Sequence, residues 1–331
     1  MADITKIRAL HDVKQNFNVD DDHVASLAAQ LSEEDQSSID RFFSGFEIED
    51  WFEAIFGIMP WSHLLHSLSQ RQVPSRSKET LQVPDFTAFI ETSTFKSEPL
   101  LIETKRVTGK KQTLKLRKTQ VEPTLTYANT LGIPLVYAIY WDSLGAWTLN
   151  TLDSFESKSS TYKISLATAF EFDCSLIFGD VSYLITQQVH RVQTFSTEPI
   201  DSPPVVHETF GGLVSDEVTI NDKTHSLSGV EPAALDSMFS FSETDVSHDQ
   251  HRTTITSETH EIFCFKFSAW ITRYLILYQT APNEPHANAA GHVISELMKK
   301  LDVPSVMMYP TGRTPELIQL DSRYLHPKEA K

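Results

Sequence analysis

Apolar positions in this chain recur at two spacings, and the switch between them outlines its elements. Phe46, Ile48, Trp51, Phe52, Ile55 and Phe56 fall at the intervals of a single helix face, which predicts a helix over 46–56. Shorter apolar strings follow, punctuated by proline and glycine: Val83 to Phe86, Pro99 to Val107, and Leu135 to Trp141. Strings of this length, rich in β-branched and aromatic residues, read as strands. Between the last two, Lys115 to Thr130 reads as a helix that passes through Leu131-Gly132-Ile133-Pro134 into the strand at 135–141. A further strand is assigned to Leu64–Val73. Upstream, Asp20 and Ser32 are set to cap two small helices. Downstream, 147–149 and 170–178 read as buried segments and 287–301 as an amphipathic helix, with apolar strings at 303–309 and 317–320.

Charged residues interrupt two of these strings. Asp85 follows Pro84 at the head of one apolar segment, and Glu103 and Lys105 lie eighteen and twenty residues further on, inside another. Side chains alternate along a strand, so Glu103 and Lys105 share a face while Thr104 points away. Ionised groups in so apolar a segment are unusual unless paired or liganded. Two carboxylates suit a hard, octahedral cation such as Mg²⁺. The alternative is an exposed same-face ion pair, worth under about 1 kcal/mol.

The order of helix, strand with Pro-Asp, strand with Glu-x-Lys, helix and strand resembles the PD-(D/E)XK nuclease superfamily, the restriction-endonuclease-like fold, over roughly residues 45 to 160. The resemblance implies an α/β fold with an αβββαβ core around a mixed central sheet, and metal-dependent hydrolysis of phosphodiester bonds. It implies that Asp85 and Glu103 hold one or two Mg²⁺, with Mn²⁺ as a substitute, and that Lys105 orients or deprotonates the attacking water or stabilises the transition state. An acid on the first helix, Glu53 or Glu49, would add a ligand. Gln120 resembles a glutamine that several members carry on the helix after the lysine. Gln120 and Tyr127 depart from the Gln-x-x-x-Tyr spacing of the exonuclease branch, and Pro123 stands between them. By the same resemblance the partner is nucleic acid, DNA before RNA, in a restriction, repair or phage-defence setting, with a protein partner or a homo-oligomer compatible with the acidic C-terminal half.

Charge adds to this picture locally. The chain carries 28 Lys plus Arg against 44 Asp plus Glu, net −16, which repels polyanions at long range. Between Lys96 and Lys118, however, eight basic residues face only Glu98 and Glu103, which suits a phosphate backbone. The competing class is a nuclease-like scaffold that binds nucleic acid or a partner without cutting.

At 331 residues the chain has length for two domains. The expected division is an N-terminal helical segment (1–44), a nuclease domain (45–196), a polar linker or insert (197–261) and a C-terminal α/β region (262–331). The linker is expected to be loop, because Ser215–Glu261 is rich in Ser, Thr, Asp and His. Cys174 and Cys264 read as free buried thiols, and His248, His251 and His260 as scattered loop residues. His63 and His66 are expected on a helix. No signal peptide or membrane-length apolar run is legible, so a cytoplasmic location without membrane contact is expected. Val107–Lys111 lacks the glycines of a phosphate-binding loop.

Overall fold

The computed structural model describes residues 4–308, apart from 17–18, 70–71, 73, 93–94, 199, 201–205, 260–262, 281 and 304. The described chain divides into two compact units, one holding the residues up to Asp180 with 282–284 and the other Val181–Thr280 with 285–308. The division precedes the expected boundary at 196/197.

The first unit opens with α1 (Ile4–Asn16), α2 (Asp21–Ala28) and α3 (Glu33–Gln36), the last two capped by Asp20 and Ser32 side chains. Helix α4 (Ile39–Gly57) contains the expected 46–56 span and begins before it. Strands β1 (Ser62–Ser67), β2 (Phe86–Thr92) and β3 (Phe95–Val107) follow, then β4 (Thr113–Arg117), α5 (Lys118–Leu131), β5 (Leu135–Trp141) and β6 (Ala146–Thr151). The unit ends with β7 (Glu156–Ser157), β8 (Thr161–Ser165) and α6 (Leu166–Glu171).

Five strands form a mixed sheet in the order β1-β2-β3-β5-β6, in which only β3 and β5 run parallel. A parallel pair needs a crossover, and α5 supplies it. Reading α4, β1, β2, β3, α5 and β5 in turn gives the expected αβββαβ order. Every residue of β5 is buried, as befits a strand covered on both faces. Gly132 ends α5 in the left-handed conformation (φ 67°) that glycine adopts without strain. On α4, Phe52 and Phe56 pack with Phe86, Trp147 and Phe178 at ring-centroid distances of 4.5–6.3 Å. That aromatic cluster fixes how α4 is turned against the sheet.

Three expectations are corrected in this unit. The helix expected from Lys115 starts only at Lys118, because Leu114 and Leu116 are buried while Lys115 and Arg117 are exposed, a period of two. Strand β4 therefore joins β8 and β7 in a small separate sheet. His63 and His66 lie on strand β1, not a helix, and that strand begins before Leu64 and ends at Ser67.

The second unit is α+β. A six-stranded antiparallel sheet holds β10 (His190–Ser196), β11 (Val206–His207), β12 (Gly211–Ile220), β13 (Lys223–Ser226), β14 (Ser242–His248) and β15 (Arg252–Glu258). A second sheet joins β9 (Ser182–Ile185), β16 (Phe263–Lys266) and β17 (Ser305–Met308), and the helices are α7 (Glu231–Met238), α8 (Phe267–Leu277) and α9 (Glu284–Leu301).

The stretch expected to be loop is thus largely strand. On β15 the inward positions are Thr253, Ile255 and Ser257, so a polar-looking sequence alternates in burial without alternating in hydropathy. Arg191 of β10 is buried here; its Nε donates to Asp216 at 2.8 Å, and it also pairs with Asp236. The expected linker at 197–204 falls partly outside the described residues, as do His260, the side chain of Cys264 and the string 317–320. Cys174 is free and buried as expected. Among the described residues no helix is long and apolar enough to cross a membrane.

Candidate active site

Asp85 is the residue before β2, and the pairing of Phe86 with Ile102 sets it beside Glu103 on the neighbouring strand. Its Oδ2 accepts hydrogen bonds from the Thr104 backbone N–H (2.7 Å) and the Thr104 hydroxyl (2.9 Å). Lys105 Nζ donates to Glu103 Oε1 at 2.6 Å and to the Thr104 carbonyl at 2.8 Å. The same-face placement expected for Glu103 and Lys105 is therefore what lets them meet. The pair is largely covered, with 17 % and 29 % of the two side chains exposed.

The helix acids separate. Glu49 feels the charges of Asp85 and Lys105, whereas the charged groups around Glu53 are Arg8 and His66. Of the two candidates, the structure thus brings Glu49 to the cluster. Both acids, with Arg8, Asp85 and Phe86, line a cleft of about 530 Å³; Glu103 and Lys105 are not among its walls. Gln120 is exposed on the first turn of α5 and makes no hydrogen bond to Asp85, Glu103 or Lys105, and Tyr127 packs against the core under the sheet.

Arg8 is the participant that the sequence did not reveal. From α1 it donates to Glu49 Oε2 (2.9 Å), Asp50 Oδ1 (2.8 Å) and Asp12 Oδ1 (3.0 Å), and its guanidinium lies 4.8 Å from the centre of the Phe46 ring. The contact spans 41 residues. Only the period of α1, which sets Arg8 and Asp12 one turn apart, was available as a signal.

The electrostatics follow from crowding acids under poor solvation. Burial first, then the charge of Asp85, pushes Glu49 up to about 8 against the pull of Arg8 and Lys105. Glu103 is pushed up to about 7 by burial and Asp85, with Lys105 opposing. Burial likewise takes Asp50 to about 6 despite Arg8. Burial works to lower Lys105, but Glu103, Asp85 and Glu49 together outweigh it, so its ammonium is held above the ordinary range. Carboxyl groups displaced into the neutral range mark a site short of positive charge.

A dication fits this donor set. Mg²⁺ is commonly held by one or two carboxylates, its other positions filled by water and substrate phosphate. Asp85 and Glu103 are such a pair, with Glu49 in electrostatic reach. Among the described residues no three acids, histidines or cysteines are close enough to hold an ion by themselves.

No protein-family model matches the sequence, and no curated protein matches it. Among solved structures, part of the chain is similar to Hjc of Archaeoglobus fulgidus, a Holliday junction resolvase from an archaeal hyperthermophile. The identity is 19 %, the match covers 38 % of this chain and 89 % of that one, and the TM-score is 0.26. At that score the likeness says nothing of activity.

Proposed function

We propose that the protein is a divalent-metal-dependent nuclease that hydrolyses phosphodiester bonds in nucleic acid, with DNA as the expected substrate. What supports this is one convergence: Asp85, Glu103 and Lys105 meet where β2 and β3 adjoin, with Glu49 coupled to them. Attack on a phosphodiester is slow because a nucleophile must approach a negatively charged phosphate. Asp85 and Glu103 would hold the ion, Mg²⁺ or Mn²⁺, which lowers the pKa of bound water and neutralises charge on the phosphate. Thr104 steadies Asp85 through two hydrogen bonds, and Glu103 holds the Lys105 ammonium in place. A lysine kept charged is poor at removing a proton. Lys105 therefore serves as a fixed positive charge for the phosphate oxygens in the transition state. Of the two expected helix acids, Glu49 is the one assigned the role of adding negative charge to the ion's surroundings.

The test is incubation of purified protein with plasmid, single-stranded DNA and RNA in Mg²⁺, Mn²⁺ or EDTA, with Asp85→Ala and Lys105→Ala alongside. Cleavage by wild type only with metal, and by neither variant, is the expected outcome. Variants that cut as well as wild type remove the assignment. A second reading, the non-cleaving scaffold, draws on the internally satisfied Glu103–Lys105 pair; it prevails if wild type binds nucleic acid and cuts nothing under any metal.

A further inference from the structure

We propose that the outer face of the β4–β8 strand pair, with the turn leading into it, docks the phosphate backbone of double-stranded nucleic acid. The surface deepens the nuclease reading by naming the form of its substrate. Strand β3 carries Lys105 and runs through residues 108–112 directly into β4. Of the basic residues counted along this stretch, Lys105 is paired with Glu103, and Arg106 is held by Asp142 and Glu47. The others are not consumed in this way. Lys110, Lys111, Lys115 and Arg117 are exposed, and none has an ion-pair partner among the described residues.

Strand alternation sorts them. Leu114 and Leu116 turn into the core while Lys115 and Arg117 turn outward, two residues and about 7 Å apart. That separation is about two steps of the 3.4 Å rise between charges along one strand of a duplex.

The register then sets Lys115 directly opposite Lys163 on β8. Like charges facing each other across a strand pair destabilise it. The next residue in this row, Glu156 on β7, is opposite Lys163 in register but makes its ion pair with Lys158, at 3.3 Å. Lys118, the next basic residue, holds its ammonium 5.3 Å from the centre of the Tyr162 ring on the core side of the pair and is not part of this face. In a chain of net charge −16, residues 104–121 hold seven basic side chains and no acid. A fold that tolerates this repulsion has a polyanion to relieve it.

The form of the polyanion follows from what the face lacks. Proteins that grip single strands stack bases on aromatic side chains. Among the described residues of the first unit no Phe, Tyr or Trp side chain is exposed, and Tyr162 is half-buried beneath Lys118. Cations without stacking platforms suit a duplex, whose bases are turned inward and whose phosphates are presented outward.

The experiment measures binding of the full-length protein, in EDTA, to a duplex and to a single strand of the same sequence, as a function of salt. Wild type is compared with the triple variant Lys115→Gln, Arg117→Gln, Lys163→Gln, and with Asp85→Ala. Wild type is expected to prefer the duplex. The triple variant should lose that preference, and its slope of log affinity against log salt should be shallower by about 2–3, at about 0.9 per phosphate contact. Thermal melting checks that it folds. Asp85→Ala should bind as wild type does while failing to cut. A triple variant with unchanged duplex affinity and slope overturns the surface even if cleavage is intact. Wild type that prefers the single strand overturns the choice of duplex. Loss of duplex binding in the triple variant of a protein that never cuts supports the surface and sinks only the nuclease reading.

Discussion

Replacing Glu49 by Gln should stabilise the metal-free protein in alkaline solution and lose that advantage in acid. The Glu49 carboxyl is hydrogen-bonded to Arg8, feels the charges of Asp85 and Lys105, and is pushed up to about 8 from 4.5. Because its folded-state pKa is raised, the folded protein holds this proton more tightly than the unfolded chain does. Stability is therefore greatest below about 4.5, falls as pH rises from there to about 8, and is level above. At about 1.4 kcal/mol for each factor of ten, the full loss is about 4–5 kcal/mol. With 24 % of the side chain exposed, solvent screening reduces this to about 3 kcal/mol. Glutamine keeps the shape and never ionises, so its offset from the protonated acid is the same at every pH. The gap between Glu49→Gln and wild type should thus widen by about 2.5 kcal/mol from pH 5 to pH 8.5, since part of the change falls below pH 5, and this is several degrees in melting temperature for a unit of this size. Thermal melts in EDTA at the two pH values measure it. A gap that stays constant, or that narrows with rising pH, refutes the crowding of acids on which the site is argued. Repeating the melts with Mg²⁺ at pH 8.5 should restore wild type more than the variant, since an ion stabilises the ionised acids it neighbours.

Two further substitutions check the scaffold that carries the site. Phe52→Ala removes the ring at the centre of the aromatic cluster between α4 and the sheet and should cost about 3–5 kcal/mol in urea unfolding. A loss under about 1 kcal/mol would mean that these rings do not set the helix. In the second unit, Asp216→Asn strips the buried Arg191 of its main counter-charge, with 4 % and 1 % of the two side chains exposed, and should cost about 3–5 kcal/mol. An unchanged urea midpoint would show that Asp236 alone satisfies the guanidinium.

The parts of the site that were legible in sequence are those fixed by strand geometry. Glu103 and Lys105 had to share a face, and Asp85 needed only the neighbouring strand to reach them. The choice between Glu49 and Glu53 was not legible, since they lie one turn apart on the same stripe of α4. The placement of the helix along its axis, set by Phe52 and Phe56, decides which of them comes nearer Asp85. Arg8 was hidden for a different reason: nothing local to α1 indicates a partner on a distant helix. Strand β15 was missed because Thr253 and Ser257 occupy inward positions, and β14 because all of its residues are exposed, which removes the hydropathy contrast on which a period of two is read. Strand β4 was read as helix because only five residues carry its alternation.

The energetic state of the cluster bears on whether it is there for stability. Arg191 in the second unit faces two carboxylates, Asp216 and Asp236. Around Lys105 the excess of acid is larger: Asp85, Glu103 and Glu49 are three carboxyl groups against one ammonium, and two of them are displaced to about 7 and about 8. Arg8 offsets part of the excess at Glu49, yet it divides its donors among Glu49, Asp50 and Asp12. Hydrophobic residues of similar volume would remove the whole penalty. Electrostatics of this kind gather at functional sites, where a bound ligand can supply the missing charge. Arg8 limits that repulsion, and its hydrogen bond to Glu49 holds the carboxylate at the cleft it shares with Asp85.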